Sequence, residues 1–224
     1  MQNIRKLSAF AGLLLALTGT AQAQSKATLA EVFNGEMLNS NLRYFESVAG
    51  VARAIRGDQH TYKVDGCRVE VEAPGGTIGS LSLDIDEQCK IGLESFLGES
   101  FAPDMSRPLT FGNFATHTGQ FHFYADCLTG CGNSHDPSVY AHWEGPRAVG
   151  FINVSLEVAL VAPPAIAAAN QWEAVMEKSR GADYVIETAF NCEPTFDETA
   201  ARIFRDVRVT RITIGPIVGG PQCG

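Results

Sequence analysis

The sequence has few basic residues and lacks the short motifs that mark common catalytic and nucleotide sites. Its 224 residues include 17 Lys and Arg against 25 Asp and Glu, so the formal net charge is −8. An acidic chain repels a phosphate backbone, which disfavours nucleic acid as a partner. The chain has no G-x-S-x-G or S-x-x-K sequence, no phosphate-loop spacing and no EF-hand loop. No nucleophile, nucleotide or calcium site is therefore recognisable from a motif.

The chain also lacks a long apolar run beyond its N-terminal region. The uncharged and mainly apolar run Val158–Trp172 has 15 residues and is broken by Pro163-Pro164. A membrane-spanning helix needs about 20 predominantly apolar residues. We therefore expect no membrane span in the mature chain.

Residues 1–23 have the order of a secretory signal peptide. Arg5 and Lys6 precede the apolar stretch 7–18, and Ala21-Gln22-Ala23 fits a signal-peptidase site. Cleavage there would remove two of the 17 basic residues, so the mature chain would be more acidic still. We expect a periplasmic or secreted protein.

Six cysteines remain in the predicted mature chain. In an oxidising compartment an even number indicates disulfides, although six cysteines allow 15 pairings. Pairing between neighbours along the sequence favours Cys67–Cys89, Cys127–Cys131 and Cys192–Cys223.

Composition and periodicity predict a folded α+β domain over residues 24–215, followed by a Gly/Pro tail over 216–224. Hydrophobic residues make up 45% of the chain and charged residues 19%, as in globular proteins. We expect a mainly antiparallel, or mixed, sheet of about seven strands packed by three to four helices and held by disulfides. The predicted strands are 60–64, 67–73, 77–85, 120–126, 149–161, 184–188 and 207–214. The predicted helices are 28–55, with a break near Gly35, then 137–143, 163–178 and 195–204, and 93–97 fits a further short helix. Capping boxes are predicted at Thr28-Leu29-Ala30-Glu31 and at Thr195-Phe196-Asp197-Glu198.

The segment 117–147 holds four of the five histidines and is where a site is expected first. Strand alternation would place His122, Tyr124 and Asp126 on one face, where a His and an Asp could share acid–base chemistry. His142 is the third catalytic candidate. The usual alternative is the solvated face of an antiparallel strand.

The same segment contains the candidate binding residues Tyr124, His135, Tyr140 and Trp143. Tyr140 and Trp143 are three positions apart. Aromatic side chains at that spacing can line a ligand groove but more often belong to a core. The histidines lack H-E-x-x-H or H-x-H spacing, so no metal site and no cofactor are predicted.

The loop Cys127–Cys131 permits two interpretations. Paired thiols at this spacing can exchange disulfides or bind copper. No helix begins inside the loop, however, so a structural disulfide is favoured.

These observations favour an exported cell-envelope domain that binds an unknown small ligand or an envelope protein. One alternative is a hydrolase-type enzyme with a site centred on His122 and Asp126. Another is thiol redox chemistry or copper handling at the Cys127–Cys131 loop.

Overall fold

The computed structural model describes residues 27–132, 137–221 and 223, so the predicted export signal and His135 lie outside the described ranges. Its strands form one sheet in the order β1-β2-β3-β4-β8-β7-β6-β5, and every neighbouring pair is antiparallel. The strands are β1 (Ala54–Arg56), β2 (Gln59–Val64), β3 (Cys67–Glu72), β4 (Ser80–Asp84), β5 (His122–Ala125), β6 (Ser138–Glu144), β7 (Asn153–Ala159) and β8 (Arg211–Gly215). The predicted α+β class is confirmed, with one strand more than the expected seven.

Helices cover the apolar face of this sheet. They are α1 (Leu29–Val32), α2 (Leu42–Ala49), α3 (Glu94–Leu97), α4 (Phe111–Thr118), α5 (Pro163–Arg180), α6 (Ala182–Ile186) and α7 (Asp197–Ile203). Short 3₁₀ turns lie at 35–37, 74–76, 147–149, 189–192 and 194–196. The core between the two layers includes Phe123, Leu156, Trp172, Phe204 and Ile212, which are each at most 1% exposed.

The sheet consists of two four-stranded meanders. Strands β1 to β4 follow one another in space, as do β5 to β8, and the two sets meet at the β4–β8 pair. The second meander is interrupted between β7 and β8 by the segment that carries α5 to α7. Strand β8 therefore closes the sheet at its centre, and the chain then continues into the Gly/Pro tail.

The first predicted helix, 28–55, is divided into α1, a 3₁₀ turn and α2. The predicted capping box of Thr28 and Glu31 is present at the start of α1. Asn34 and Asn41 each accept a backbone N–H with their side chains and so begin a new helical segment. Local side-chain capping thus interrupts a run of apolar residues whose spacing fits one long helix.

Three other predictions of local structure are wrong. The predicted helix over 137–143 is strand β6, in which Val139, Ala141 and Trp143 are buried on one face. The predicted strand over 184–188 coincides largely with helix α6. The capping box predicted at Thr195 is absent, since α7 begins after Phe196 without a side-chain cap. In each case tertiary packing overrides a short local pattern.

Helix α4 lies in a segment that the sequence shows as rich in loop residues. Its cap is reciprocal: the Thr110 hydroxyl accepts the Asn113 N–H, and the Asn113 side chain accepts the Thr110 N–H. The usual capping box has Glu or Gln three residues after the N-cap, where this chain has Asn113. The sequence pattern therefore does not predict this helix.

All three predicted disulfides are present: Cys67–Cys89, Cys127–Cys131 and Cys192–Cys223. The first is buried, whereas Cys223 is exposed. Disulfides of this number are typical of proteins from oxidising compartments. In the ranges given above, no helix is long and apolar enough to cross a membrane.

Candidate functional site

The face of the sheet opposite the helices is polar from edge to edge. Strand register places two cross-strand rows on it: Asp84, Arg211, Glu157, Tyr140 and Tyr124, and beside them Glu70, Ser82, Thr213, Ser155, His142 and His122. Several of these side chains are buried although they are polar, and they satisfy one another by hydrogen bonds.

An ion-pair network occupies the first half of this face. Glu70 is 5% exposed and contacts both Arg68 and Arg211. Burial opposes ionisation of Glu70, but the hydrogen bond from Arg211 and the charges of both arginines lower its pKa. Arg211 also contacts Asp84 at 2.7 Å and Glu157 at 3.7 Å. The network joins three carboxylates to two arginines, and each carboxylate contacts at least one guanidinium group.

His122, a catalytic candidate, is held at the edge of β5. Its Nδ1 lies 3.0 Å from Asp197 Oδ2, and its Nε2 lies 2.7 Å from the Asn191 carbonyl oxygen. The hydrogen bond with Asp197 raises the pKa of His122 despite partial burial. A carbonyl oxygen and a carboxylate are both acceptors, so both contacts are hydrogen bonds only when the ring carries a proton on each nitrogen.

Asp197 and Asn191 also satisfy the outer edge of β5. Asp197 Oδ1 accepts the Phe123 N–H at 2.9 Å. The Asn191 side chain accepts the Ala125 N–H at 2.9 Å and donates to the Ala125 carbonyl at 2.8 Å. Two side chains thereby replace a neighbouring strand at this edge.

Asp126 does not meet His122. Its Oδ2 accepts the Tyr140 hydroxyl at 3.1 Å and the Ser138 N–H at 3.2 Å. The rings of Tyr140 and Tyr124 stack with centroids 4.8 Å apart, and burial raises the pKa of both hydroxyls. The candidates Tyr124, Tyr140 and Asp126 thus form one cluster.

His122 and His142 do come together, at a cleft of about 530 Å³ that we call the polar cleft. The two histidines are directly opposite one another on β5 and β6. Burial lowers the pKa of His142, and its Nδ1 has no hydrogen-bond partner within the described ranges. The polar cleft is lined by Gln120, His122, His142, Trp143, Glu144, Val218, Gly220 and Pro221.

The C-terminal tail forms one wall of the polar cleft. It is tied to the sheet by the bond from the Tyr124 hydroxyl to the Gly219 carbonyl, 3.1 Å, and by the Cys192–Cys223 disulfide. The Ile217 N–H also donates to the Gly79 carbonyl. The side chain of Ile217 is 52% exposed, so hydrophobic burial contributes little to holding the tail.

A second cavity, which we call the apolar cavity, lies at the opposite end of the central strands and measures about 440 Å³. Its floor is buried and hydrophobic, formed by Leu109, Val158, Ala165, Val207 and Val209. Three acidic and three basic side chains surround its mouth: Asp86, Glu87, Asp206, Lys90, Arg107 and Arg208. The mouth therefore has no net charge.

The apolar cavity was not predicted from the sequence. Its walls come from the turn after β4, the loop 105–109, the start of α5 and the segment 206–210. A bridge between Thr110 and Arg208 joins two of these pieces. Nothing in the local pattern of any one segment indicates that they meet. Asp197 and Asn191 were missed for the same reason.

The Cys127–Cys131 loop is closed by a disulfide and is partly exposed. Over residues 27–132, 137–221 and 223, no group of three His, Cys, Asp or Glu side chains is arranged to hold a metal ion. Trp143 is 5% exposed, and its Nε1 donates to the Thr118 carbonyl, so this candidate binding residue is mostly a core residue that reaches the cleft at one edge.

Comparison of the chain with protein-family models, curated proteins and solved structures finds no significant match.

Proposed function

We propose that this protein is a binding domain and that the apolar cavity takes a small, largely uncharged apolar ligand. The observation that carries the proposal is a concave, buried hydrophobic floor open to solvent at a charge-balanced mouth. Ligand sites in proteins are typically cavities of this size with mainly apolar walls. Each 100 Å² of apolar surface that a ligand buries there contributes about 2.5 kcal/mol before the costs of association.

The test is titration with an uncharged fluorophore, N-phenyl-1-naphthylamine. Ala162 lines the mouth at the start of α5, so a Trp side chain at this position fills the entrance. We expect Ala162→Trp to weaken binding by at least about tenfold, since the ligand loses most of its buried area. Ala167→Trp is the matched control, because Ala167 is exposed on the same helix but does not line the cavity. Equal binding by both variants contradicts the proposal.

The hydrolase alternative has less support. A general base needs a free lone pair, and both nitrogens of His122 are used by Asp197 and Asn191. Asp126 is likewise engaged by Tyr140 and Ser138. Copper handling at Cys127–Cys131 also has little support, because the structure brings no third ligand into place beside the pair in the described ranges. Thiol redox chemistry there has no further observation in its favour.

We also propose that the protein is exported to the periplasm or secreted, with residues 1–23 removed. The three disulfides support an oxidising destination. Mass spectrometry of the protein isolated from a secreting host tests this: a chain that begins at Gln24 is the expected result, and a chain that retains residues 1–23 in the cytoplasm contradicts it.

A further inference from the structure

We propose that the polar cleft is a second binding site, separate from the apolar cavity, and that it takes a cationic amidinium, guanidinium or ammonium group. The argument starts from which polar groups of the cleft are already used. His122 gives both of its N–H groups to acceptors outside the cleft, and Trp143 gives its N–H to Thr118. The two strongest donors of the lining are therefore unavailable to a ligand.

The groups that remain are mainly acceptors. Glu144 is an exposed carboxylate at the end of β6, and Gln120 provides an amide oxygen. His142 lies two residues before Glu144 on the same face of the strand, so both side chains point to the cleft. Together these groups fit a ligand that donates several N–H bonds.

The net charge of the polar cleft also favours a cationic ligand. The charge of His122 is balanced by Asp197, which lies 3.0 Å away, whereas Glu144 has no ion-pair partner in the described part of the chain. The cleft therefore has a net charge close to −1. A planar cation that donates N–H groups gains the charge of Glu144, because hydrogen bonds between charged partners are stronger than neutral ones.

The walls are fixed before any ligand arrives. Asp197 holds His122 in place, and the Cys192–Cys223 disulfide holds the tail residues Val218, Gly220 and Pro221 against the opening. A preorganised site avoids the cost of ordering its walls on binding. This feature distinguishes the cleft from an ordinary patch of surface charge.

The experiment titrates the full chain with three nearly isosteric probes: benzamidine, a cation; benzamide, which is neutral; and benzoate, an anion. We expect benzamidine to bind at least about tenfold more tightly than benzamide, and benzoate not to bind. The His142 ring resonances, assigned with His142→Ala, shift with benzamidine, whereas those of His60 do not.

Matched variants locate the site. Glu144→Gln should reduce benzamidine affinity by about tenfold, whereas Glu187→Gln, which removes an equally exposed charge on another element, should change it less than about twofold. Ala162→Trp should leave it unchanged, so failure of this site is distinguishable from failure of the apolar cavity. Equal affinities for the three probes, equal effects of the two glutamine variants, or a silent His142 ring each overturn the proposal.

Discussion

The apolar cavity and the polar cleft are built by different forces in different parts of the same sheet. The apolar cavity is shaped by packing among several buried hydrophobic side chains, such as Leu109, Val158 and Val209. The polar cleft depends on a few polar bonds: the contacts of His122 with Asp197 and Asn191, and the disulfide and hydrogen bonds that hold the tail. A packed wall is held by many weak contacts, whereas a wall held by a few bonds loosens when one of them is removed. The two sites should therefore respond differently to the same perturbation.

The largest difference between the responses of the two sites is expected when a disulfide is removed. Replacing Cys192 and Cys223 by Ser should reduce the free energy of unfolding by about 3–4 kcal/mol in the loop-entropy model and release the tail. Benzamidine affinity should fall because the polar cleft loses its tail wall, while N-phenyl-1-naphthylamine affinity changes less than about twofold. Chemical denaturation and probe titration measure both quantities.

The reciprocal control replaces Cys67 and Cys89 by Ser. Cys89 directly precedes Lys90, which lines the mouth of the apolar cavity. This variant should lose a similar amount of stability and change naphthylamine binding while retaining benzamidine binding. If both pairs of substitutions affect both probes equally, the two sites are not independent.

A smaller effect is expected from Asp197→Ala. This change leaves the Phe123 N–H and the His122 imidazolium without their acceptor, which should cost about 2 kcal/mol of unfolding free energy. Benzamidine binding should weaken because one wall of the polar cleft loosens, and the apolar cavity should not respond. Asp183→Ala, at an exposed helical position, is the control and should change stability by less than about 0.5 kcal/mol. A stability loss no larger than that of the control contradicts the role of Asp197.

The smallest effect is expected from pH. Because the pKa of His122 is raised in the folded state, its ion pair with Asp197 stabilises fully below the unfolded pKa of about 6.5. That contribution is lost as the pH rises through the folded pKa. The difference in unfolding free energy between the natural chain and His122→Gln should therefore shrink from about pH 5 to pH 9. A difference that does not vary with pH shows that the charge of His122 does not contribute.

Much of the fold could be predicted because many of its signals are local. Asp65-Gly66 marks the β2–β3 hairpin, the alternation of Val69 and Val71 with Glu70 marks β3, and the proline pair before Ala165 marks the start of α5. The cysteine pairing followed from proximity along the chain. Errors arose where a short pattern fits two structures, as in β6, where helical and strand spacing cannot be separated over seven residues.

The sites were harder to predict because they form between distant segments. The sequence directs attention to His122 and His142, and the structure does bring these two together. It gives no sign that His122 contacts Asp197 and Asn191, which lie about 70 residues further along the chain, through its two ring nitrogens. The apolar cavity is likewise assembled from four separate stretches that show no common motif.

The central position of β8 has a consequence for the order of folding. Strand β8 pairs with β4, and the Ser82–Thr213 hydrogen bond between them joins residues 131 positions apart. The strands before β8 can pair through local contacts, but the sheet closes only when β8 inserts between β4 and β7. Such non-local pairing is slow, because the chain loses the entropy of closing a long loop before the new contacts stabilise it. Until β8 inserts, β4 and β7 present open edges, so the growing chain is most exposed to misassociation before β8 emerges.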